Sequence, residues 1–411
     1  MREQTVQTNG TPPYGYRSYQ YLEPGVDFEE FAFPPEIGRV PSRRVAVSDD
    51  EEARVQRILG GELVISLHDH PTRRPGDRAE IIAYRRGGRD VTGYQGLSQS
   101  GLDVVFDNLM NGSNIITSAG GWKWTDTIHD LGMRLCDFAH QDLVVPVYRL
   151  ADLHRVKQDG RIGVVLCLEA VTAVENEIDR LDVLYGLGIR SAGLVYSQGN
   201  QVGAGLAEPA DGGLTNFGRR VVHRLNQLGV LIDLSHAGDR TSLDAIEASE
   251  VPVVISHAGA RALWPTDRMK PDDVIRACAA SGGLIGIEAA PHTTLTRDHP
   301  RHSIDSVMRH FEYCVELVGI DHVTFGPDTN FGDHVAWHQA FSSHLAMGER
   351  SRPEPAHEPV PYVDGIENPA EAFPNIVRWL VGHGYRDDDI AKVIGQNTVG
   401  VLARVWDPKG S

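Results

Sequence analysis

The chain has 411 residues, 41% apolar and 23% charged, which suits a soluble globular enzyme of two ordinary domains or one large barrel. A formal net charge of −17 disfavours nucleic acid and anionic membrane as partners, and no apolar run approaches the length of a membrane span. Four dispersed cysteines (Cys136, Cys167, Cys278 and Cys314) form no Cys-x-x-Cys pair and read as free thiols; with no apolar leader core after Met1, a cytoplasmic location is expected.

Residues 1–60 differ from the rest. Thr11-Pro12-Pro13-Tyr14 and Phe31-Ala32-Phe33-Pro34-Pro35 mix prolines with aromatics and show no helical period, so an extension packing on the main domain is expected, ending in a short helix near Asp49–Leu59. Residues 61–411 then alternate the two hydrophobic periods. Leu63-Val64-Ile65-Ser66-Leu67-His68-Asp69-His70 reads as a strand buried on both faces. Further strands are expected at Ser113–Ser118, Gly163–Leu168, Ile189–Tyr196, Val230–His236, Pro252–His257, Gly283–Glu288 and His322–Asp328. Between two of them, Thr215 can cap a helix whose apolar positions Phe217, Val221, Leu225 and Leu228 recur at helical spacing, with Gly229 as its stop. Residues 349–366 read as a loop before a closing helical segment over Pro369–Trp406. Eight strands alternating with helices predict an α/β fold, a (β/α)8 TIM barrel.

Several of these strands end in metal-binding residue types. His68 and His70 lie two apart, so both point to one face while Asp69 points away. Asp233-Leu234-Ser235-His236 and Ile255-Ser256-His257 end two successive strands the same way, Glu169 follows the third strand, and Asp328 follows the eighth. The C-terminal rim of such a barrel is where its chemistry resides. Four imidazoles and two carboxylates suit Zn²⁺ or a similar divalent ion. Two ions about 3.5–4 Å apart, bridged by a carboxylate, can activate a water and polarise a carbonyl. Glu169 is the natural bridge, and Asp328 the base that takes and returns the proton. The chain has no His-Glu-x-x-His, no Walker loop and no Gly-x-Ser-x-Gly.

These residues resemble the renal (membrane) dipeptidases, metal-dependent barrels of the amidohydrolase type. The likeness runs from about residue 62 to 406 and is closest over Gly213–Val222, Asn226–His236 and Pro252–His257, with further similarity at Asp267–Asp273, Gly319–Val323 and Tyr362–Pro369. It implies a binuclear zinc hydrolase of dipeptides, often a homodimer, acting on a small-molecule substrate with a metal-bound hydroxide as nucleophile. His68 and the residue two on would bind one metal, His236 and His257 the other, and Glu169 would bridge them. Asp328 matches the acid/base carboxylate, and Arg268 the arginine that grips the substrate carboxylate.

Three departures stand out. The family's His-x-Asp is His68-Asp69-His70 here. Its Thr-His after the fourth strand, where the histidine polarises the substrate carbonyl, is Val195-Tyr196, so Tyr196 would supply the hydrogen bond. Its Glu-Gly-Gly-His is Glu169-Ala170-Val171-Thr172. The reading is a binuclear metal-dependent hydrolase of an amide or peptide C–N bond, dipeptidase-like. An amidohydrolase of a cyclic amide, lactone or N-acyl compound is the alternative; the retained Asp328 argues against a barrel without catalysis.

Overall fold

The histidine-tipped runs become parallel strands of one curled sheet. The computed structural model describes residues 14–109, 123–344 and 354–407. Among them are ten strands: β1 (Ile65–Arg73), β2 (Val104–Leu109), β3 (Val144–Pro146), β4 (Ile162–Leu168), β5 (Ile189–Gly193), β6 (Leu231–Asp233), β7 (Val254–Ala258), β8 (Leu284–Ile287), β9 (Val323–Phe325) and β10 (Asn330–Phe331). Every pairing is parallel, in the order β10-β1-β2-β4-β5-β6-β7-β8-β9, with β3 attached to β4. The chain leaving β9 crosses to β1. There the Asp328 amide donates to the His68 carbonyl at 3.0 Å, and the His70 amide to the Thr329 carbonyl at 2.9 Å. β9 and β10 together therefore act as the eighth stave and join the two edges of the sheet, giving the (β/α)8 architecture expected from the alternating periods.

The second stave differs from expectation. Ser113–Ser118 lies outside the described residues, and the neighbour of β1 is β2, Val104–Leu109, buried along its whole length. Asp107 and Asn108 make this run look like the start of a loop. Each has a buried partner: Asp107 pairs with Arg134, and the Asn108 carbonyl meets His70.

The uninterrupted apolar runs are explained by burial on both faces. In β4, Val165 and Cys167 pack into one core cluster, while Val164, Leu166 and Leu168 pack into another. The helix Asn216–Leu228 is bounded as its sequence predicts. Thr215 Oγ1 accepts from the Gly218 amide, and Gly229 adopts the left-handed conformation with φ 71° that ends it. Its buried apolar face is Val221, Val222 and Leu225, with Phe217 and Leu228 half-buried at the margins. Asp49–Gly61 is helical behind a Ser48–Glu51 capping box. The closing segment is Pro369–Gly382 and then Asp387–Ala391, which runs through a π-helical turn at Lys392–Gln396 into Asn397–Trp406 without a break.

Residues 14–48 form no helix or strand but are tied to the barrel by polar contacts. The Asp137 carboxylate accepts from Tyr16 Oη at 2.9 Å, Ser18 Oγ at 2.7 Å, the Tyr19 amide at 3.1 Å and Tyr94 Oη at 2.9 Å. Phe31 and Phe33 join a cluster with Tyr84, Trp337, Phe341 and Tyr196. Through it the extension braces one wall of the cavity described next.

Candidate metal centre

The barrel brings His68, His70, Glu169, His236, His257 and Asp328 to one place at the C-terminal ends of its strands, all of them buried. Possible ligand atoms fall into three overlapping sets, each within 4.8 Å: His68 with His70 and Glu169, Glu169 with His236 and His257, and His68 with His257 and Asp328. Glu169 thus belongs to both histidine pairs. Its Oε1 lies 3.3 Å from His236 Nε2 and 3.9 Å from His257 Nε2, and those two nitrogens are 3.1 Å apart. Asp328 Oδ1 lies 3.2 Å from His70 Nε2 and 3.5 Å from His68 Nε2.

Local backbone explains why these side chains meet. β5 passes very close to the Glu169 backbone, which Gly193 permits: a Cβ there would lie 2.1 Å from the Glu169 carbonyl oxygen. Asp328 has φ 57°, a left-handed conformation costly for a residue with a Cβ. Its amide bond to His68 and the adjoining Thr329 contacts hold it there. Asp69 points away from the site, as the strand alternation predicts. Its carboxylate accepts from Ser66 Oγ and, at 2.7 Å each, from the Thr329 amide and Thr329 Oγ1.

A second layer orients the imidazoles. His70 Nδ1 donates to the Asn108 carbonyl at 2.7 Å, which turns Nε2 toward the site and Asp328. Ser256 Oγ lies 2.7 Å from His257 Nδ1 and donates to Asp233. Ser235 Oγ donates to Asp233 at 2.6 Å and accepts the His257 amide at 3.0 Å. The roles of Asp233 and Ser256 were not predicted. Each stands within three residues of a histidine already singled out, which is the only signal the sequence offers.

The electrostatics fit a cation-binding centre. Burial pushes the Glu169 carboxyl up to about 8, and burial together with Arg268 and the neighbouring imidazoles holds His236 and His257 well below the usual histidine range. Burial opposes charge on His70, but the Asp328 hydrogen bond and the Glu169 charge outweigh it and raise His70 to about 9. Burial opposes charge on Asp328 too, but the His68 and His70 imidazoles beside it hold it well below the carboxylate range. Among the described residues, His68 Nε2 and Glu169 Oε2 are buried with no hydrogen-bond partner. A bare imidazole nitrogen and a bare carboxylate oxygen buried at one centre fit a divalent ion, because each orphaned lone pair then has an acceptor.

A cavity of about 280 Å³ opens over the centre, lined by His70, Glu169, His236 and Asp328, with His68 and His257 buried beneath. Tyr196 and Arg268, the predicted substrate-binding residues, also line it. The Tyr196 ring stacks on His236 with centroids 4.1 Å apart. Arg268 donates from Nη1 to the His257 carbonyl at 2.9 Å and from Nη2 to Glu288, a buried carboxylate that nothing in the sequence marks as special. Trp337 forms part of the wall and is held by the Arg74 guanidinium 3.8 Å above its ring.

Comparison with known proteins points the same way. The family model for membrane dipeptidases (peptidase family M19) matches residues 123–338. Dipeptidase aclJ of Aspergillus oryzae is 28% identical over 268 residues, covering 64% of this chain and 57% of that protein. Dipeptidase tcpJ of Claviceps purpurea is 26% identical over 284 residues, covering 69% and 60%. The chain therefore spans less than two thirds of the length of these curated relatives. An amidohydrolase from Pseudomonas aeruginosa superposes on 86% of this chain and 99% of its own, with a TM-score of 0.69 and 25% identity.

Proposed function

The chain belongs to the membrane dipeptidase family, peptidase family M19, and on that premise we propose that it is a metal-dependent hydrolase of an amide or peptide C–N bond, dipeptidase-like in its chemistry. The observation that supports this most is Glu169, whose carboxylate is within ligand distance of both histidine pairs. His68 and His70 would hold one divalent ion and His236 and His257 a second, with Glu169 between them. Neutral imidazoles with a single carboxylate suit zinc.

Bound divalent ions supply an acidified water and a polarised carbonyl. The remaining work falls to side chains. Asp328 is held ionised beside the ligands, so its carboxylate can accept a proton from the attacking water and return it to the leaving nitrogen. Tyr196, stacked over His236, can donate its hydroxyl to the carbonyl oxygen as charge develops there. Arg268 meets the part of the substrate farther from the scissile bond. Trp337 and Phe341 narrow the cavity and exclude water.

Metal analysis of the purified chain tests the centre. One to two divalent ions per subunit are expected, and none would overturn the reading. A panel of L-Xaa–D-Xaa dipeptides, N-acyl amino acids, lactams and lactones then tests the bond class. Hydrolysis of a non-peptide amide or lactone is the second reading. It is favoured by Val195-Tyr196, where the dipeptidases have Thr-His, and by the amidohydrolase that superposes on this chain.

A further inference from the structure

The fate of Arg268 bears on which substrates fit. Among the described residues lining the cavity, it is the only Arg or Lys. It is also already engaged. Its Nη2 donates to the Glu288 carboxylate, and its Nη1 donates to the His257 and Ser235 carbonyls at 2.9 and 3.5 Å. The side chains of Arg268 and Glu288 are 5% and 0% exposed, so water does not screen the pair. Glu288 directly follows β8, and its amide donates to the Ala258 carbonyl at 3.0 Å, which anchors it beside the site and away from solvent.

A free carboxylate arriving at Arg268 would share one guanidinium with this buried carboxylate. Two like charges around one cation in a dry site cost much of what the new ion pair contributes. Besides neutral donors and apolar surface such as Tyr196, Gln339 and Trp337, the rest of the wall carries the imidazoles of His292, His334, His338 and His357 and one more carboxylate, Glu354. We infer that the substrate presents to Arg268 a neutral carbonyl, as in an amide, ester, lactam or lactone, and that Glu288 is the residue that disfavours a free carboxylate there. This rests on the hydrolase reading above and narrows it. Arg268 then acts as a hydrogen-bond donor to an uncharged oxygen, with Glu288 as its positioning and neutralising partner.

The test compares a dipeptide with its own C-terminal amide on the zinc-loaded wild-type chain at pH 8, following release of the N-terminal amino acid. The amide is expected to have a kcat/KM at least about tenfold higher. Glu288→Gln should move that ratio toward the free acid by about tenfold or more, and calorimetry should show tighter binding of N-acetyl-alanine than in the wild type. A wild-type preference for the free acid, or a ratio unmoved by Glu288→Gln, overturns the inference. If Glu288→Gln does not fold, the wild-type ratio decides. If neither substrate is cleaved, the peptide-bond reading fails on its own. Wild-type binding of N-acetyl-alanine against N-acetyl-alaninamide then still decides, since tighter binding of the acid overturns the inference.

Discussion

The two histidine pairs of the centre are supported in different ways. His236 and His257 stand on a web of side chains close to them in sequence, in which Asp233 gathers Ser235 and Ser256 and these in turn hold His257. His68 and His70 rest on the Asn108 carbonyl and on the crossing from β9 to β10, where Asp69 grips Thr329 across 260 residues of chain, and His68 Nδ1 touches the first web at 3.4 Å from Ser256 Oγ. The first half is preorganised as soon as two adjacent strands pair. The second exists only once the barrel edges have joined. Metal affinity should therefore depend on local polar contacts in one half and on barrel closure in the other.

Glu169→Gln removes the group common to both halves. It should lower hydrolysis by more than about a thousandfold and reduce metal content, read by turnover and by elemental analysis; full metal occupancy would mean that the halves are independent. Asp328→Asn should lower kcat by about 10²–10⁴ while metal content is kept, and loss of metal instead would make Asp328 a ligand of the His68 half. Asp233→Asn should weaken metal binding about 10–100-fold by loosening the orientation of His257, measured by competition with a chelator. An equal loss at both ions would dissolve the distinction between the halves.

Proton linkage sharpens the contrast. In the metal-free chain, burial raises Glu169 to about 8 and Asp69 to about 7, while His70, despite its burial, is raised to about 9 by Asp328 and Glu169. All three bind protons more tightly folded than unfolded. Their stabilisation is therefore present at low pH and lost as pH rises through these values. His236 and His257 have the opposite sign, but their contribution is complete above the ordinary histidine value of 6.5. Chelated protein should lose stability between pH 6.5 and 9, by at most about 1.4 kcal/mol per pH unit for each titrating group, and metal should flatten most of the slope because it displaces the Glu169 and His70 protons, leaving only that of Asp69. Thermal midpoints with and without chelator measure this, and a flat chelated profile would refute it. The smallest effect belongs to Thr329→Val, which leaves Asp69 with one hydrogen bond fewer. A loss of about 1 kcal/mol in denaturant unfolding is expected, with the Asp233 web undisturbed.

Much of this was readable in advance where one strand sufficed. The runs ending at His70, His236 and His257 are apolar without alternation, and this pattern has one economical explanation, burial on both faces of a parallel sheet. β2 escaped because Asp107 and Asn108 interrupt its run, and only Arg134 and His70, brought in by other elements, make them tolerable inside. Glu288 escaped for a related reason. A carboxylate after a short apolar run is common, and nothing local distinguishes a rim residue from the buried partner of Arg268.

The amino-acid sequence by itself determined the period of each element, the caps at Thr215 and Gly229, and the placing of ligand-type residues at strand ends. Those depend on neighbours one to four residues away. The tertiary structure alone decided which carboxylate faces which imidazole, that Glu169 reaches both pairs, and that Arg268 is already neutralised. Those depend on distances of a few ångströms between strands far apart in the chain, and such distances exist only after the sheet has curled and closed.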